Sequence, residues 1–445
     1  MSNGSLADLL ALWLPAQRWF AGSGAIMRDL VIASDVQLAS GDPELRHVIV
    51  DATTGEGTVR YQLLVALATE LNRDFGPAMI GTLSDGRIAY DGAVDPELTA
   101  DLLDGIASQR SVGAVSFRIE PGAAIDRDAP GRTLPAMASN TSVVFGDKAI
   151  LKLLRRPSPG HHPDLEIPSR LARSGSRLVA APRGWIEMTG SDDDEPTVLA
   201  ILAEYFPNAS DGWSMAIADL TAAESDFSDQ ARLLGEATAD LHGELAAAFG
   251  TSVLPPTGLT EMARNMTAEL SLAVDVVAEL AEHEQAITAC YAELAEFPSD
   301  VAIQRIHGDY HLAQVLGTDK GWVILDFEGE PSVPLTRRRA LAPALRDVAG
   351  MLRSFDYVAR HQVLAEPDDQ RLRSVAADWV SRCQDAFCAG YGEASSEDPR
   401  QSRQLLRALL LQKAVYEAVY EARHRPGWLP IPLHAIAEAV HEGER

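Results

Sequence analysis

Residues 304–330 constrain this chain more than any other stretch, because two polar segments interrupt the apolar pattern there. The first is a tight turn in which one carboxylate, Asp309, follows His307 and Gly308. The second is an apolar strand that ends abruptly in three acids, at positions 326, 328 and 330. We therefore expect a polar turn and a strand end rich in carboxylates at the centre of the fold.

These two segments have the composition of a phosphoryl-transfer site. One carboxylate can orient an attacking hydroxyl and accept its proton, while an amide oxygen and a second carboxylate hold Mg²⁺ against nucleotide phosphates. Asp309 supplies the first carboxylate, and Gln314 and Asp326, twelve residues apart, supply the amide and the second carboxylate. The stretch therefore predicts transfer of a phosphoryl group to a hydroxyl.

The size and charge of the chain limit its class. Its 445 residues are more than a single hydrophobic core ordinarily contains, so the length predicts two or three domains. Hydrophobic residues at 46% and charged residues at 23% are typical of a soluble globular protein. A formal net charge of -26 opposes binding to nucleic acids or anionic membranes, so we expect neither as a partner.

The cysteines and the N-terminal sequence predict a location. Cys290, Cys383 and Cys388 form no CxxC pair, which favours buried free thiols in a reducing compartment. The chain begins without a basic segment of the signal-peptide type and contains no run of about 18 apolar residues. We therefore expect a cytoplasmic protein.

Residues 1–110 predict a small α+β unit. A short amphipathic helix over 5–13 precedes three alternating segments, and Gly-Glu-Gly at 55–57 suits a hairpin turn. The alternating segments are 29–38, 46–53 and 58–69. We expect Trp19 and Phe20 to lie in the core of this unit.

Strand patterns continue in the next segment of the chain. The polar run 139–142 lies between two of them and can present hydroxyls and backbone N–H groups to phosphates. Lys152 lies inside an apolar strand, where a buried ammonium needs an anionic partner. Glu166 is one candidate for that partner, and a solvent-exposed strand edge is the structural alternative.

The second half of the chain is predicted to be helical. A strand over 197–202 runs into a Pro-Asn segment that looks like a connector, and helical periodicity dominates from 210 onward. His242 lies on one of these helices, and we expect it to be a packing residue. A strand-rich middle followed by helices is typical of two-lobed proteins that bind a nucleotide between the lobes.

The sequence resembles the maltokinase-like branch of the aminoglycoside phosphotransferase and protein-kinase-like superfamily. The resemblance covers nearly the whole chain and is carried by an ordered set of motifs. These are QRWFA at 17–21, SNTS at 139–142, AILK at 149–152, HGD at 307–309, DFEGEP at 326–331, LRDVAGMLRSF at 345–355, KAVYE at 413–417 and WLPIP at 428–432.

The resemblance implies an α+β, two-lobed protein-kinase-like fold with an added N-terminal cap subdomain. The cap would occupy 1–110, the β-rich N-lobe 111–203, the hinge 204–209 and the α-helical C-lobe 210–445. It also implies roles in binding ATP and Mg²⁺ and in proton transfer. These are Asp309 as catalytic carboxylate, Gln314 and Asp326 as metal ligands, Lys152 paired with Glu166 at the phosphates, Thr141 and Ser142 as phosphate caps, and the backbone near Glu204 and Phe206 at adenine.

The resemblance also places an acceptor pocket in the C-lobe. Its expected residues are Asp309, Tyr310, His311, Glu328, Arg346, Asp347, Tyr416, Glu417, Tyr420, Glu421 and Trp428. Maltokinases usually have Leu and Gly at the positions of Tyr310 and Ala313, which are larger residues. Gln412 stands where an acidic residue normally precedes the lysine that is Lys413 in this chain. These changes favour a monosaccharide, and the carboxylates in this set would suit the ammonium group of an amino sugar.

Three functions follow from the resemblance. The first is an ATP-dependent sugar kinase that converts glucosamine to glucosamine 6-phosphate, and the second is a maltokinase that forms maltose 1-phosphate. The third is a pseudokinase-like binding protein, which the intact Lys152, Asp309, Gln314 and Asp326 oppose. We expect a monomer or a weak homodimer whose partners are ATP and a sugar.

Overall fold

The structure is a computed structural model. The model describes residues 4–20, 26–55, 57–134, 140–189, 195–222, 226–297, 299–330, 333 and 335–443. The chain forms two compact units, one of Met1–Ala172 with Ala180–Pro207 and one of Arg173–Val179 with Asn208–Arg445. The last boundary between the units falls between Pro207 and Asn208, inside the range 204–209 expected to connect the lobes.

The first unit opens with a five-stranded antiparallel sheet of order β1-β2-β3-β5-β4. Its elements are α1 (Leu6–Trp13), β1 (Asp29–Ala39), β2 (Glu44–Thr54), β3 (Gly57–Ala68), β4 (Met79–Thr82), β5 (Ile88–Asp91) and α2 (Pro96–Ser108). The three predicted strands and the hairpin are confirmed, since Thr54 pairs with Gly57 across the turn; Glu56 lies outside the described residues. Trp19 and Phe20 are buried, and Phe20 stacks on Tyr61 with 5.3 Å between ring centroids.

A seven-stranded sheet of order β6-β7-β11-β12-β10-β9-β8 completes the first unit. Its elements are β6 (Ser111–Val112), β7 (Val115–Ile119), β8 (Gly131–Thr133), β9 (Thr141–Phe145), β10 (Ala149–Leu153), α3 (Pro163–Arg173), β11 (Pro182–Met188) and β12 (Thr197–Glu204). Leu102 and Ile106 of α2 share a buried cluster with Phe117 and Leu151 of this sheet. The cap and the N-lobe strands therefore have a common core.

The second unit is mainly helical. Its helices are α4 (Gly212–Thr221), α5 (Ser228–Phe249), α6 (Pro256–Val274), α7 (Glu284–Glu293), α8 (Leu335–Arg338), α9 (Leu345–Ala365), α10 (Gln370–Ser395), α11 (Arg403–His424) and α12 (Pro430–Gly443). Its strands are β13 (Ser210–Asp211), β14 (Thr251–Leu254), β15 (Val301–Gln304), β16 (Val315–Thr318) and β17 (Gly321–Ile324). Helix α9 lies at the centre, with Val348, Met351, Phe355 and Val358 fully buried.

The predicted free thiols are confirmed, since Cys290, Cys383 and Cys388 are all unbonded and buried. Burial raises the pKa of Cys290 to about 11 and that of Cys388 to about 12. These thiols are therefore protonated near neutral pH. Within the described ranges, no helix combines the length and the apolar character needed to cross a membrane.

Glycines at the crossing of α5 and α10 allow the backbones of the two helices to pack directly against each other. A Cβ atom at Gly235 would lie 2.1 Å from the carbonyl oxygen of Phe387, and one at Gly390 would lie 2.1 Å from that of Arg232. No side-chain carbon tolerates such a distance from a backbone oxygen, so any larger residue at either position would push the helices apart.

We expect Gly235→Ala to lower the free energy of unfolding by about 1–3 kcal/mol, because the helices must separate to admit the methyl group. Urea denaturation followed by circular dichroism measures this change. Gly243→Ala is the matched control on the same helix, since a Cβ atom there meets nothing within 4 Å. The control should gain up to about 1 kcal/mol from helix propensity, and equal effects of the two substitutions would contradict the packing argument.

Candidate active site

The predicted polar turn follows β15 and is fixed by a buried carboxylate beneath it. The backbone N–H groups of His307 and Gly308 donate to Asp347 Oδ2 and Oδ1 at 2.7 and 2.9 Å. His242 Nε2 lies 3.2 Å from the same Oδ2 atom, which confirms that His242 is a packing residue. Gly308 has φ of 88°, a left-handed conformation that glycine adopts without steric cost.

Asp347 was expected in the acceptor pocket, and the structure places it elsewhere. Its relative exposure is 1%, and both carboxylate oxygens are bonded beneath the turn. Burial opposes ionisation of Asp347, but the hydrogen bond from His242 and the N–H group of Gly308 lower its pKa. Asp347 therefore supports the turn and does not reach an acceptor.

His307 joins the turn to the second polar segment. Its Nε2 atom lies 2.7 Å from the carbonyl oxygen of Leu325, and its Nδ1 atom accepts the N–H group of Asp309 at 3.3 Å. Leu325 immediately precedes Asp326, so one imidazole ring ties both predicted segments together. The two halves of the sequence motif thus form one site within the second unit.

Asp309 lies in this site as an ionised carboxylate. Its Oδ1 atom accepts from Lys413 Nζ at 3.0 Å, and its Oδ2 atom lies 3.9 Å from His311 Nε2. Burial opposes ionisation of Asp309, but Lys413 and His311 hold its pKa at about 2. Burial also lowers the pKa of His311. Asp309 is therefore a weak base that remains charged at physiological pH.

Sequence reasoning did not select Lys413 or Glu330 as site residues, although the structure connects both to Asp309. Lys413 Nζ also donates to Glu330 Oε1 at 3.1 Å, and Arg346 Nη2 lies 3.6 Å from Glu330 Oε2. Although burial opposes it, the charges of Asp309 and Glu330 raise the pKa of Lys413. A lysine among the apolar residues of α11, four positions before Glu417, was the available sequence signal.

The predicted metal ligands are adjacent. Gln314 Nε2 donates to Asp326 Oδ2 at 3.1 Å, and Asp326 and Glu328 bring carboxylate oxygens within 4.8 Å of one another. Asp326 has φ of 62°, which is uncommon for a residue other than glycine. Carboxylate and amide oxygens are the ligands that Mg²⁺ prefers, so these residues fit the expected ion.

In the first unit, Lys152 is paired with a carboxylate of α3. Its Nζ atom donates to Asp164 Oδ2 at 2.9 Å, two residues before the expected partner Glu166 on the same helix. Ser142 lies half-buried opposite Lys152 in the register of β9 and β10. The structure thus shows a charged partner for Lys152 and identifies Asp164 as one that the sequence reasoning had not selected.

Thr141 was expected to cap phosphates, but the structure uses its hydroxyl internally. Thr141 Oγ1 accepts from Arg155 Nε at 2.8 Å, and the residue has 7% relative exposure. Arg155 also donates its backbone N–H to Asn140 Oδ1 at 3.2 Å. Thr141 therefore anchors Arg155, while Ser139 lies outside the described residues.

The expected adenine contacts lie where β12 ends. The N–H group of Glu204 donates to the carbonyl oxygen of Ala181 at 2.9 Å, and that of Tyr205 donates to Lys148 at 3.1 Å. Phe206 follows them and is half-buried. These bonds fix the backbone at the end of the strand.

The α11 face carries one carboxylate that is held at a single oxygen. Arg353 Nε and Nη2 donate to Glu417 Oε2 at 3.1 and 2.7 Å, and Arg353 Nη1 donates to Asp356 Oδ2 at 2.6 Å. Burial raises the pKa of Glu417 against the opposing effect of Arg353. Glu417 has 12% side-chain exposure.

The other acceptor candidates on α11 are differently placed. Glu421 has 1% exposure and accepts from the Tyr357 hydroxyl and from Arg425 Nη2 and Nε, the latter two at 2.6 and 2.9 Å. Arg425 also covers the ring of Trp428 at 4.1 Å from its centroid. Glu421 thus holds these neighbours together. Tyr416 is half-buried over Lys413 with 4.9 Å between Nζ and its ring centroid, while Tyr420 is 41% exposed.

One of the two positions expected to narrow the pocket, Tyr310, does not do so. Tyr310 has 2% exposure, and its hydroxyl lies 2.9 Å from Thr238 Oγ1 inside the core. Gln412 donates to Glu269 Oε2 at 2.9 Å and so faces α6. Ala313 is exposed. The pocket-narrowing role expected for Tyr310 is therefore wrong, because its side chain points away from the site.

Known proteins share both parts of this architecture. The maltokinase N-terminal cap domain matches residues 13–95, and the phosphotransferase enzyme family matches residues 130–405. A glucosamine kinase from Streptacidiphilus jiangxiensis is 32% identical over 68% of this chain and 72% of its own. A second glucosamine kinase, from Mycolicibacterium smegmatis (strain ATCC 700084 / mc(2)155), is 30% identical over 70% of this chain and 80% of its own.

Solved structures confirm the predicted fold. A glucosamine kinase in complex with glucosamine, ADP and inorganic phosphate has a TM-score of 0.67 at 25% identity, and the match covers 98% of this chain and 99% of that one. A crystal form of glucosamine kinase gives a TM-score of 0.70 at 24% identity over the same shares. The α+β kinase-like fold, with a β-rich N-lobe, an α-helical C-lobe and an N-terminal cap, is thus confirmed, and the chain belongs to the phosphotransferase enzyme family, with a maltokinase-type cap.

Proposed function

We propose that this protein is an ATP-dependent sugar kinase that phosphorylates the 6-hydroxyl group of glucosamine. The observation that carries this proposal is the ionised Asp309, whose turn is held by Asp347 and whose Oδ1 atom contacts Lys413, one helical turn before the carboxylate Glu417 on α11. Both curated relatives described above carry the name glucosamine kinase. An assay of ATP consumption over glucosamine, maltose, glucose and aminoglycosides tests the proposal, and no turnover of any of them would overturn it.

Asp309 orients the acceptor hydroxyl through its Oδ2 atom and receives the proton late in the transfer. A carboxylate with a pKa of about 2 cannot remove a sugar proton in the ground state, so its main contribution is orientation and charge. Lys152 would contact the nucleotide phosphates. Gln314 and Asp326 would hold Mg²⁺, which when bound supplies positive charge to the phosphate oxygens.

Glu417 is the carboxylate best placed to receive the acceptor ammonium. Asp347 and Glu421 are bonded internally, and Asp309 already contacts Lys413. Both bonds from Arg353 fall on Oε2 of Glu417, and since no donor among the described residues occupies Oε1, that atom is open to a ligand. A charge-assisted hydrogen bond there would distinguish glucosamine from glucose.

Maltose 1-phosphate formation is the second candidate, and the match of residues 13–95 to the maltokinase cap domain favours it. The same sugar panel separates the two, because a maltokinase would turn over maltose far better than glucosamine. In either case we propose action in the cytoplasm, where ATP is available and the three thiols stay reduced.

We expect Asp309→Asn to lower kcat by about 10²- to 10⁴-fold, because the amide can neither take the proton nor offer the same charge. Affinity for ADP, measured by calorimetry, should be unchanged. Asp319→Asn, at an exposed aspartate before β17, is the matched control and should leave kcat unaltered. Equal activity of the wild type and Asp309→Asn would refute the assigned role.

We expect Glu417→Gln to raise KM for glucosamine about 10- to 100-fold, since an amide replaces the charged partner of the ammonium. Steady-state kinetics with glucosamine and with glucose make the comparison within one variant. Glucose lacks the ammonium, so its KM should change little. A similar rise for both sugars would point to a general packing role for Glu417.

A further inference from the structure

We propose that Lys413 is a positioning residue for phosphoryl transfer, which holds Asp309 by Oδ1 and so presents Oδ2 to the acceptor hydroxyl. Because this inference builds on the proposed kinase function, it concerns how that reaction is prepared. Neither family match assigns a role to Lys413. Lys413, Asp309 and Glu330 all lie within the second unit.

The ammonium group of Lys413 is fixed between two carboxylates. It lies 3.0 Å from Asp309 Oδ1 and 3.1 Å from Glu330 Oε1, and Tyr416 covers it from α11. Glu330 is buried, with 7% exposure, and lies 3.6 Å from Arg346 Nη2. These contacts leave Lys413 little freedom, so the bonded oxygen of Asp309 is fixed as well.

The second oxygen of Asp309 is the one available for chemistry. Its Oδ2 atom lies 3.9 Å from His311 Nε2, beyond hydrogen-bond distance. An acceptor hydroxyl therefore meets Oδ2, while the ammonium of Lys413 repels any acceptor ammonium near Oδ1. A glucosamine molecule would thus turn its amino group towards Glu417, one turn further along α11.

Lys413 also determines the charge of Asp309. Among the described residues, the cationic or titratable groups that face this carboxylate are Lys413 from α11 and His307 and His311 from its own turn. Glu330 reaches it through Lys413, and Arg346 balances Glu330 from α9. Without Lys413, burial of Asp309 and the negative charge of Glu330 would both raise the pKa of Asp309 and so favour its protonated form.

The test compares Lys413→Met with Lys413→Arg in the full-length protein. In the wild type, Asp309 has a pKa of about 2 and stays ionised at all pH values at which the enzyme can be assayed. A plot of kcat/KM against pH should therefore show no acidic limb from this group. In Lys413→Met the folded-state pKa rises, so activity should fall as pH decreases through a midpoint at least about 2 pH units higher. Lys413→Arg should restore the wild-type profile, and Lys320→Met, at an exposed lysine, should not change it.

A second measurement is independent of turnover. The ¹³C carboxyl resonance of Asp309, assigned by its loss in Asp309→Asn, should titrate in Lys413→Met and stay ionised in the wild type. Absence of sugar turnover with this titration present would reject the proposed function and keep the contact between Lys413 and Asp309. An unchanged titration in Lys413→Met, or failure of Lys413→Arg to restore it, would overturn the inference.

Glu330→Gln covers the case in which Lys413→Met does not fold. Lys413 contacts two carboxylates, Asp309 and Glu330, and this variant removes the charge of Glu330. Asp309 then remains as the charged partner of Lys413. The Asp309 resonance should therefore remain ionised over the same pH range. A rise in the pKa of Asp309 in Glu330→Gln would contradict the proposed arrangement.

Discussion

The polar turn that carries Asp309 depends on the buried carboxylate of Asp347. This group has 1% exposure and is stabilised by two backbone N–H groups of the turn, with His242 beside it. A buried charge of this kind is tolerated only where hydrogen bonds replace its lost hydration. The requirement works in both directions, since the same bonds fix the backbone that positions Asp309. The same hydrogen bonds therefore both stabilise the buried anion and fix the position of Asp309.

A second constraint is that, in each of the two units, the cations singled out above already have partners. Lys152 contacts Asp164, Lys413 contacts Asp309 and Glu330, and Arg353 contacts Glu417 and Asp356. In a chain of net charge -26, these pairs determine which carboxylate oxygens remain for a ligand. The number of acids near a pocket is therefore a poor guide to cation binding. The informative feature is a carboxylate oxygen that receives no hydrogen bond from the part of the chain that the structure describes, and on α11 this is Oε1 of Glu417.

The sequence was sufficient for features that depend on neighbouring positions. Alternation in β2 and β3 identified strands that are buried in the first sheet, and the spacing of Gln314 and Asp326 predicted two side chains that do meet. It was not sufficient where contacts join distant positions. Lys413 and Asp309 are 104 residues apart, and Asp347 and His242 are 105 apart, so no local pattern reveals either pair.

Side-chain direction was a further limit, because residue type does not determine it. Asp164 and Glu166 lie on the same helix two positions apart, and only the geometry shows that Asp164 reaches Lys152. Tyr310 was expected at the pocket because it follows Asp309, yet its hydroxyl turns inward to Thr238.

The same reasoning explains the role of Thr141. A hydroxyl beside a predicted phosphate loop looks available in sequence, but a buried guanidinium must be neutralised and hydrogen-bonded. Arg155 has 1% exposure and meets that need with Thr141, with Asp91 and with the ring of Trp19, 4.8 Å away. Trp19 and Asp91 belong to the cap, whereas Thr141 begins β9. Because one buried charge requires all three, the cap and the strand next to the predicted phosphate loop are stabilised together.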